Sequence, residues 1–108
     1  MEEVNFNDWK KLDIRVGKVL EVKDHPEADK LYVLKVNFGD FDKWAVSSLK
    51  DDYSKEDLEG KKFAFLVNLE PKTFKGVKSE CMILAAVKDK ECVLLKPEKD
   101  IAEGSRIE

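Results

Sequence analysis

The sequence is poor in the residues that carry covalent and metal chemistry. Its 108 residues include two cysteines, Cys81 and Cys92, and one histidine, His25. A structural zinc site usually draws four Cys or His ligands from the chain, and these scattered candidates do not form one. In a reducing compartment the cysteines read as free core or near-core thiols rather than a disulfide. There is no Gly-rich phosphate loop, no Gly-x-Ser-x-Gly elbow and no Cys-His pairing close in sequence. The residues therefore predict no catalytic centre, no metal and no cofactor. No apolar run approaches the ~20 residues of a membrane span. The first fifteen residues carry four acids and no apolar core segment, so no secretory signal and a cytoplasmic location are expected.

What is abundant is charge. Charged residues make up 40% of the chain and apolar residues 43%, with a net charge of −3. The apolar residues are patterned, so the chain reads as one folded domain rather than a disordered one. The positive charge is unevenly spread. Between Lys61 and Lys78 stand Lys61, Lys62, Lys72, Lys75 and Lys78 against the single acid Glu70, a local balance of +4, which leaves −7 for the rest. A basic segment on an acidic body points to a surface that meets an anion.

The periodicity is mostly that of short strands. Asn5 to Lys11 suits one helical turn capped by Asn5 or Asn7. Ile14 to Val22 alternates with period two, and Gly17 within it predicts a bulge or sharp coil. Asp24 to Lys30 is a turn around Pro26. Leu31 to Phe38, Gly39-Asp40 and Phe41 to Ser47 read as a hairpin. Its Tyr32, Leu34, Val36 and Phe38 form one face. Ser54 to Gly60 is a short helix with Ser54 as cap, Asp57 at the capping-box position and Gly60 at its end. Phe63 to Asn68 is strand four, and a basic loop follows. Glu80 to Val87 is strand five, and Glu91 to Leu95 returns after a turn at Lys88-Asp89-Lys90. Pro97 to Ser105 is a loop, and Arg106-Ile107 pairs briefly.

Three strands, a short helix and two strands is the order of the five-stranded oligonucleotide-binding (OB) barrel. The expected fold is mainly β, with the barrel over about residues 12–87 and an extension over 88–108. The apolar Cys92 to Leu95 of that extension would cover a barrel face or a second copy of the chain. In this fold ligands meet strands two and three and the loops joining strands one to two and four to five. Here those loops are Asp24 to Lys30 and Leu69 to Lys78, so the basic segment falls at the fold's binding site.

Three motifs then carry a resemblance. They are Asp13-Ile14-Arg15-Val16-Gly17, His25-Pro26-Glu27-Ala28-Asp29-Lys30-Leu31-Tyr32, and Asn68-Leu69-Glu70-Pro71-Lys72 with Lys75 to Met82. Together they resemble the structure-specific tRNA-binding domain that stands alone in some organisms. The same domain is appended to bacterial methionyl-tRNA synthetases and to the EMAP II cytokine precursor. The resemblance covers about Phe6 to Ile107 and is nearest the stand-alone, homodimeric branch. It implies a non-catalytic barrel that binds the outside corner of tRNA by shape and serves an aminoacyl-tRNA synthetase. Two positions depart from the family pattern. Ser47-Ser48 stands where Ser-Gly is usual, and Cys81 replaces the glycine of Ser-Glu-Gly-Met. The serine pair resembles a sister branch of export-related chaperones, which bind unfolded peptides on the same barrel.

The candidate RNA-binding residues are Lys30, Lys35, Ser47, Ser48, Asn68, Lys72, Phe74, Lys75, Lys78 and Ser79. Each has a plainer alternative. The loop lysines either meet phosphate or serve solubility. Lys30 either meets phosphate or pairs with Asp29. Asn68, Ser47, Ser48 and Ser79 either bond RNA or fasten their own turns. Phe74 either stacks on a base or anchors its loop to the barrel. Trp44 lies on a strand of the expected face. Tyr32, Cys81 and Met82 read as packing, His25 as a turn residue, and Arg15 as outward and solvated.

Overall fold

A computed structural model describes residues 1–108. Helix α1 (Phe6–Trp9), capped by Asn5, precedes strands β1 (Ile14–Asp24), β2 (Tyr32–Asn37) and β3 (Asp42–Ser47). Helix α2 (Lys55–Leu58) and β4 (Lys62–Leu66) follow. Then come β5 (Lys72–Phe74), β6 (Val77–Ser79), β7 (Met82–Ile83), β8 (Ala85–Lys88) and β9 (Glu91–Leu94). The main sheet is antiparallel in the order β3-β2-β1-β4-β7. Its outer strands approach each other, so the sheet curls into a nearly closed, OB-like barrel. No helix is long and apolar enough to cross a membrane.

Strand β1 makes the curl possible because it serves two partners. Its first half pairs with β4 (Ile14 with Leu66 through Lys18 with Lys62), and its second half pairs with β2. The bulge sits between Val19 and Glu21, not at Gly17 as the sequence suggested. It shifts the alternation, so Val19 and Val22 are buried while Leu20 is exposed. Gly17 answers a different need. A Cβ there would lie 2.6 Å from Val36 and 2.7 Å from both Phe38 and Phe65. The core closes over the bare backbone at this point. Phe38 and Phe65 meet edge to face above it, 5.5 Å apart.

The inward face of β2 is as expected, with Tyr32, Leu34, Val36 and Phe38 all buried. Phe63, Phe65 and Val67 join them from the β4 side. The α2 capping box forms between Ser54 and Asp57, and Leu58 is its fully buried residue. Tyr32 donates to the Tyr53 carbonyl at 2.9 Å, and the Tyr53 hydroxyl accepts from Leu94 N–H at 3.0 Å. The two tyrosines thus tie β2 to β9.

Two expectations about the second half need correction. The basic segment is a β-hairpin, β5–β6, rather than a loop. The predicted strand over Glu80 to Val87 is two strands. After Leu84, whose N–H still donates to the Ala64 carbonyl of β4, the chain pairs with β9 instead, in register from Ala85–Leu94 to Lys88–Glu91. The turn of this β8–β9 hairpin falls at Lys88-Asp89-Lys90 as read, with Asp89 at φ 54°. The end of the chain returns along the edge of β1 that β2 leaves free. Val16 N–H donates to the Ser105 carbonyl, Gly104 N–H to Val16 and Ile107 N–H to Ile14, with Arg106 bridged to Arg15. Arg15 is not simply solvated. It holds Asp13 through two bonds of 2.8 and 3.0 Å and lies 5.5 Å from the centre of the Phe41 ring. That hydrogen bond to Arg15 is the main reason Asp13 sits below the usual carboxylate range.

Residues 79–81 close the barrel against β3. Glu80 N–H donates to the Trp44 carbonyl at 2.8 Å, and Trp44 N–H donates to the Glu80 carboxylate at 3.1 Å. Val46 N–H donates to Ser79 Oγ at 3.0 Å, and that hydroxyl donates on to the Cys81 carbonyl. Cys81 is buried in this seam, and burial pushes its thiol up from 9.0 to about 12. The unfolded chain therefore ionises first as pH rises, and binds fewer protons than the native state between those values. Stability should fall across pH 9–12 by about 1.4 kcal/mol per unit from this group. Urea melts at pH 8 to 10.5 should show that limb flattened in Cys81→Ala. An equal slope in both proteins would mean that the thiol is solvated in the native state.

Candidate nucleic-acid interface

The outward face of β1–β3 follows from the pairing. Residues opposite one another on neighbouring strands point the same way. Glu21, Lys35 and Trp44 form one outward row, and Lys23, Val33 and Val46 form the next. Trp44 is partly exposed, with the Lys23 and Lys35 ammoniums 5.4 and 5.9 Å from its ring centroid. Lys23 also reaches Glu21 at 3.3 Å.

The β5–β6 hairpin stands beside this face. Its register pairs Lys72 with Ser79, Thr73 with Lys78 and Phe74 with Val77. The two turn residues, Lys75 at φ 47° and Gly76 at φ 87°, take the left-handed conformations of a tight two-residue turn. A spacing of three therefore does not put the lysines on one side. Lys72 and Lys78 lie on opposite faces of the hairpin, with Lys75 at its tip. The finger is charged all round.

His25 pins this finger to the barrel. It is buried at 4% exposure. Its Nδ1 accepts from Glu27 N–H at 3.0 Å, and its Nε2 lies 2.7 Å from the Phe74 carbonyl. The tautomer with hydrogen on Nε2 serves both bonds. The turn residue thus joins the β1–β2 loop to the β5–β6 hairpin, the two segments that flank the binding face of an OB barrel. Between them and β3 lies a cleft of about 520 Å³, floored by Val33 and walled by Trp44, Pro26 and Val77, with Lys23 and Lys78 at its rim. Asp24 also lines it. Hydrogen bonds from Lys50 and then Lys55, at 2.9 and 3.2 Å, hold that carboxyl below the usual range.

The predicted site residues divide on this geometry. Lys30, Lys35, Lys72, Lys75 and Lys78 take part in none of the ion pairs, so Lys30 is not bound to Asp29. Phe74 is partly buried in the finger, with Lys72 5.1 Å from its ring. Ser48 is exposed, but Ser47 is paired with Tyr32 and shares its inward side. Ser79 is buried and its hydroxyl is used in the seam. Asn68 accepts from Asp13 N–H at 2.8 Å and donates to the Lys11 carbonyl at 2.7 Å. Both act as structural fasteners, Ser79 buried and Asn68 still exposed. Lys62 also leaves the basic group, because it is held by Asp100 and Glu103 in the returning tail. Lys23 and Val33 are the residues that sequence reasoning omitted, whereas Trp44 was expected on this face and Pro26 in one of its loops without a binding role. The hairpin turn at Gly39-Asp40 carried the signal for Trp44, since it sets Trp44 opposite Lys35.

If His25 is the pin, His25→Ala should loosen the hairpin before the barrel. Trypsin cleavage after Lys72, Lys75 and Lys78 should quicken several-fold, at a global cost of about 1–3 kcal/mol for the lost buried bonds. Uniform loss of stability with no preference for these sites would remove that role.

The geometry agrees with known proteins. Residues 14–106 match the family described as "Putative tRNA binding domain". Methionine–tRNA ligases of Nanoarchaeum equitans and Thermococcus kodakarensis are 49% and 48% identical over 96% and 99% of this chain. The chain spans only 13% and 14% of the length of those ligases. Among solved structures, a protein of Pyrococcus horikoshii described as related to methionyl-tRNA synthetase superposes with a TM-score of 0.92 at 33% identity, covering 99% of both chains. The chaperone CsaA of Bacillus anthracis superposes with a TM-score of 0.91 at 32% identity, covering 99% of this chain and 100% of its own. On the extent of the family match and the identity to the ligases, this chain belongs to the tRNA-binding domain family.

Proposed function

We propose that the chain binds tRNA without catalysing a reaction on it, gripping it by backbone and shape, and that it serves an aminoacyl-tRNA synthetase, the methionyl enzyme first. The observation that carries this reading is the β5–β6 finger. Its three lysines have no acidic partner, and it is pinned beside an outward face bearing Lys23, Lys35 and Trp44. Unpaired ammoniums on a rigid support suit phosphate, because no internal salt bridge must be broken before contact. Folded RNA is recognised largely in this way, through shape, phosphate and 2′-hydroxyl contacts.

The reading includes a homodimer. Val87, Val93 and Leu95 on the β8–β9 hairpin and Met82 beside it are exposed apolar residues, and a second copy would bury them. Two fingers on one large ligand would then raise avidity. The peptide-binding alternative predicts affinity that salt hardly changes.

The test is binding of bulk tRNA at low and near-physiological salt, with light scattering on the same sample. Affinity should fall steeply with salt. Replacing Lys72, Lys75 and Lys78 together with Gln should weaken binding at least tenfold and lower the salt slope by about 2–3. Retained tRNA binding in the triple variant would take the finger out of the interface. Tight binding of an unfolded peptide with no tRNA binding would favour the chaperone reading. A monomer mass at micromolar concentration would end the dimer proposal.

A further inference from the structure

The cleft between Trp44 and the β5–β6 finger is not accounted for by phosphate contacts alone. The aromatics Tyr32, Phe38, Phe63 and Phe65 of the core are buried to 5% exposure or less, and the partly buried Phe41 and Tyr53 pack against that core. Trp44 instead stands on the outward face, opposite a mixed apolar wall. Val33, although outward by register, is 7% exposed because it forms the floor of this cleft. An indole beside an apolar slot suits a flat, weakly hydrated ring. The rim adds the Lys23 and Lys78 ammoniums, with Lys35 beside the indole. The acids at the rim are engaged. Asp24 is held by two lysines, and one oxygen of Glu80 accepts the Trp44 N–H. The surface therefore offers a stacking plane with cations at its edge, which is what a nucleotide presents in complement: a ring with a phosphate attached.

We propose that this cleft holds one unpaired nucleobase of the bound RNA, stacked on the Trp44 indole, with its flanking phosphates on Lys23, Lys35 and Lys78. This rests on the tRNA reading above and adds a requirement to it. A base inside a duplex cannot offer its face, so the cleft selects a loop, bulge or end nucleotide. Stacking of this kind tolerates all four bases, since each has a π face. An apolar peptide side chain would use the floor and walls but leave the Lys35 and Lys78 ammoniums without a partner and Lys23 with Glu21 alone.

A Trp9→Phe background leaves Trp44 as the sole tryptophan, and Trp9 lies on α1, outside the cleft. Three probes separate the cases: a short single-stranded RNA of mixed sequence, a blunt RNA duplex with the same number of phosphates, and inorganic polyphosphate. The single strand should quench Trp44 fluorescence, whereas the duplex and polyphosphate should bind with little quenching. Trp44→Ala should weaken single-strand and tRNA binding about 5- to 100-fold, and Trp44→Phe should recover most of it. Circular dichroism identifies any variant that fails to fold, and the quenching comparison needs no cleft variant. Equal quenching by polyphosphate, or unchanged affinity in Trp44→Ala, would overturn the proposal while leaving a lysine-dependent tRNA binder. Absence of salt-sensitive tRNA binding in the wild-type chain would instead remove the functional reading itself. Quenching by an unfolded apolar peptide but not by RNA would assign the cleft to peptide.

Discussion

A sheet in the order β3-β2-β1-β4-β7 has two open edges, and each would present unpaired N–H and C=O groups to water or to another chain. Here the edges meet through the seam at residues 79–81. Only part of that seam is ladder, because Ser79 Oγ and the Glu80 carboxylate take the place of strand partners for Val46 and Trp44. Everything that makes the face a candidate site depends on this contact. It brings the β5–β6 finger alongside β3, orients Trp44 by its own backbone N–H and C=O, and encloses Cys81 so that its thiol stays neutral. His25 adds the second point of attachment, and two points fix the finger's direction where one would allow it to swing.

Charge is arranged with the same economy. The acids at the face are already engaged: Asp24 by Lys50 and Lys55, Glu21 by Lys23, and Glu80 by the Trp44 backbone N–H. The finger's lysines are not. A chain of net negative charge can therefore present a locally positive surface, because what an approaching polyanion meets is the uncompensated part of the charge rather than its sum.

Much of this was legible in the sequence. Period-two alternation located β2 and β4, the Ser54/Asp57 pair located α2, and the order of elements gave the barrel and the position of its binding loops. The Gly39-Asp40 turn even fixed the register that sets Lys35 beside Trp44. What escaped had physical reasons. A bulge adds one residue without a compositional mark, so the shift at Leu20 and the outward position of Lys23 were invisible. Lys75 at a left-handed turn position resembles any loop lysine, which hid the β5–β6 hairpin. Asn68 and Ser79 are polar and flank the basic segment, yet Asn68 bonds to Lys11 and Asp13 and Ser79 accepts from Val46, all far away in sequence. Local pattern cannot distinguish such long-range fasteners from surface contacts.

The returning tail bears on how the domain forms. Strand β1 is complete only when β2, β4 and residues 104–107 have all arrived, and the last of these pairs with Ile14 across almost the whole length of the sequence. Contacts of that span incur their loop-closure entropy before they yield any stabilisation. The first strand made is therefore among the last to be finished, and folding is expected to be slow and all-or-none. During synthesis this domain would remain unfinished until its final residues leave the ribosome.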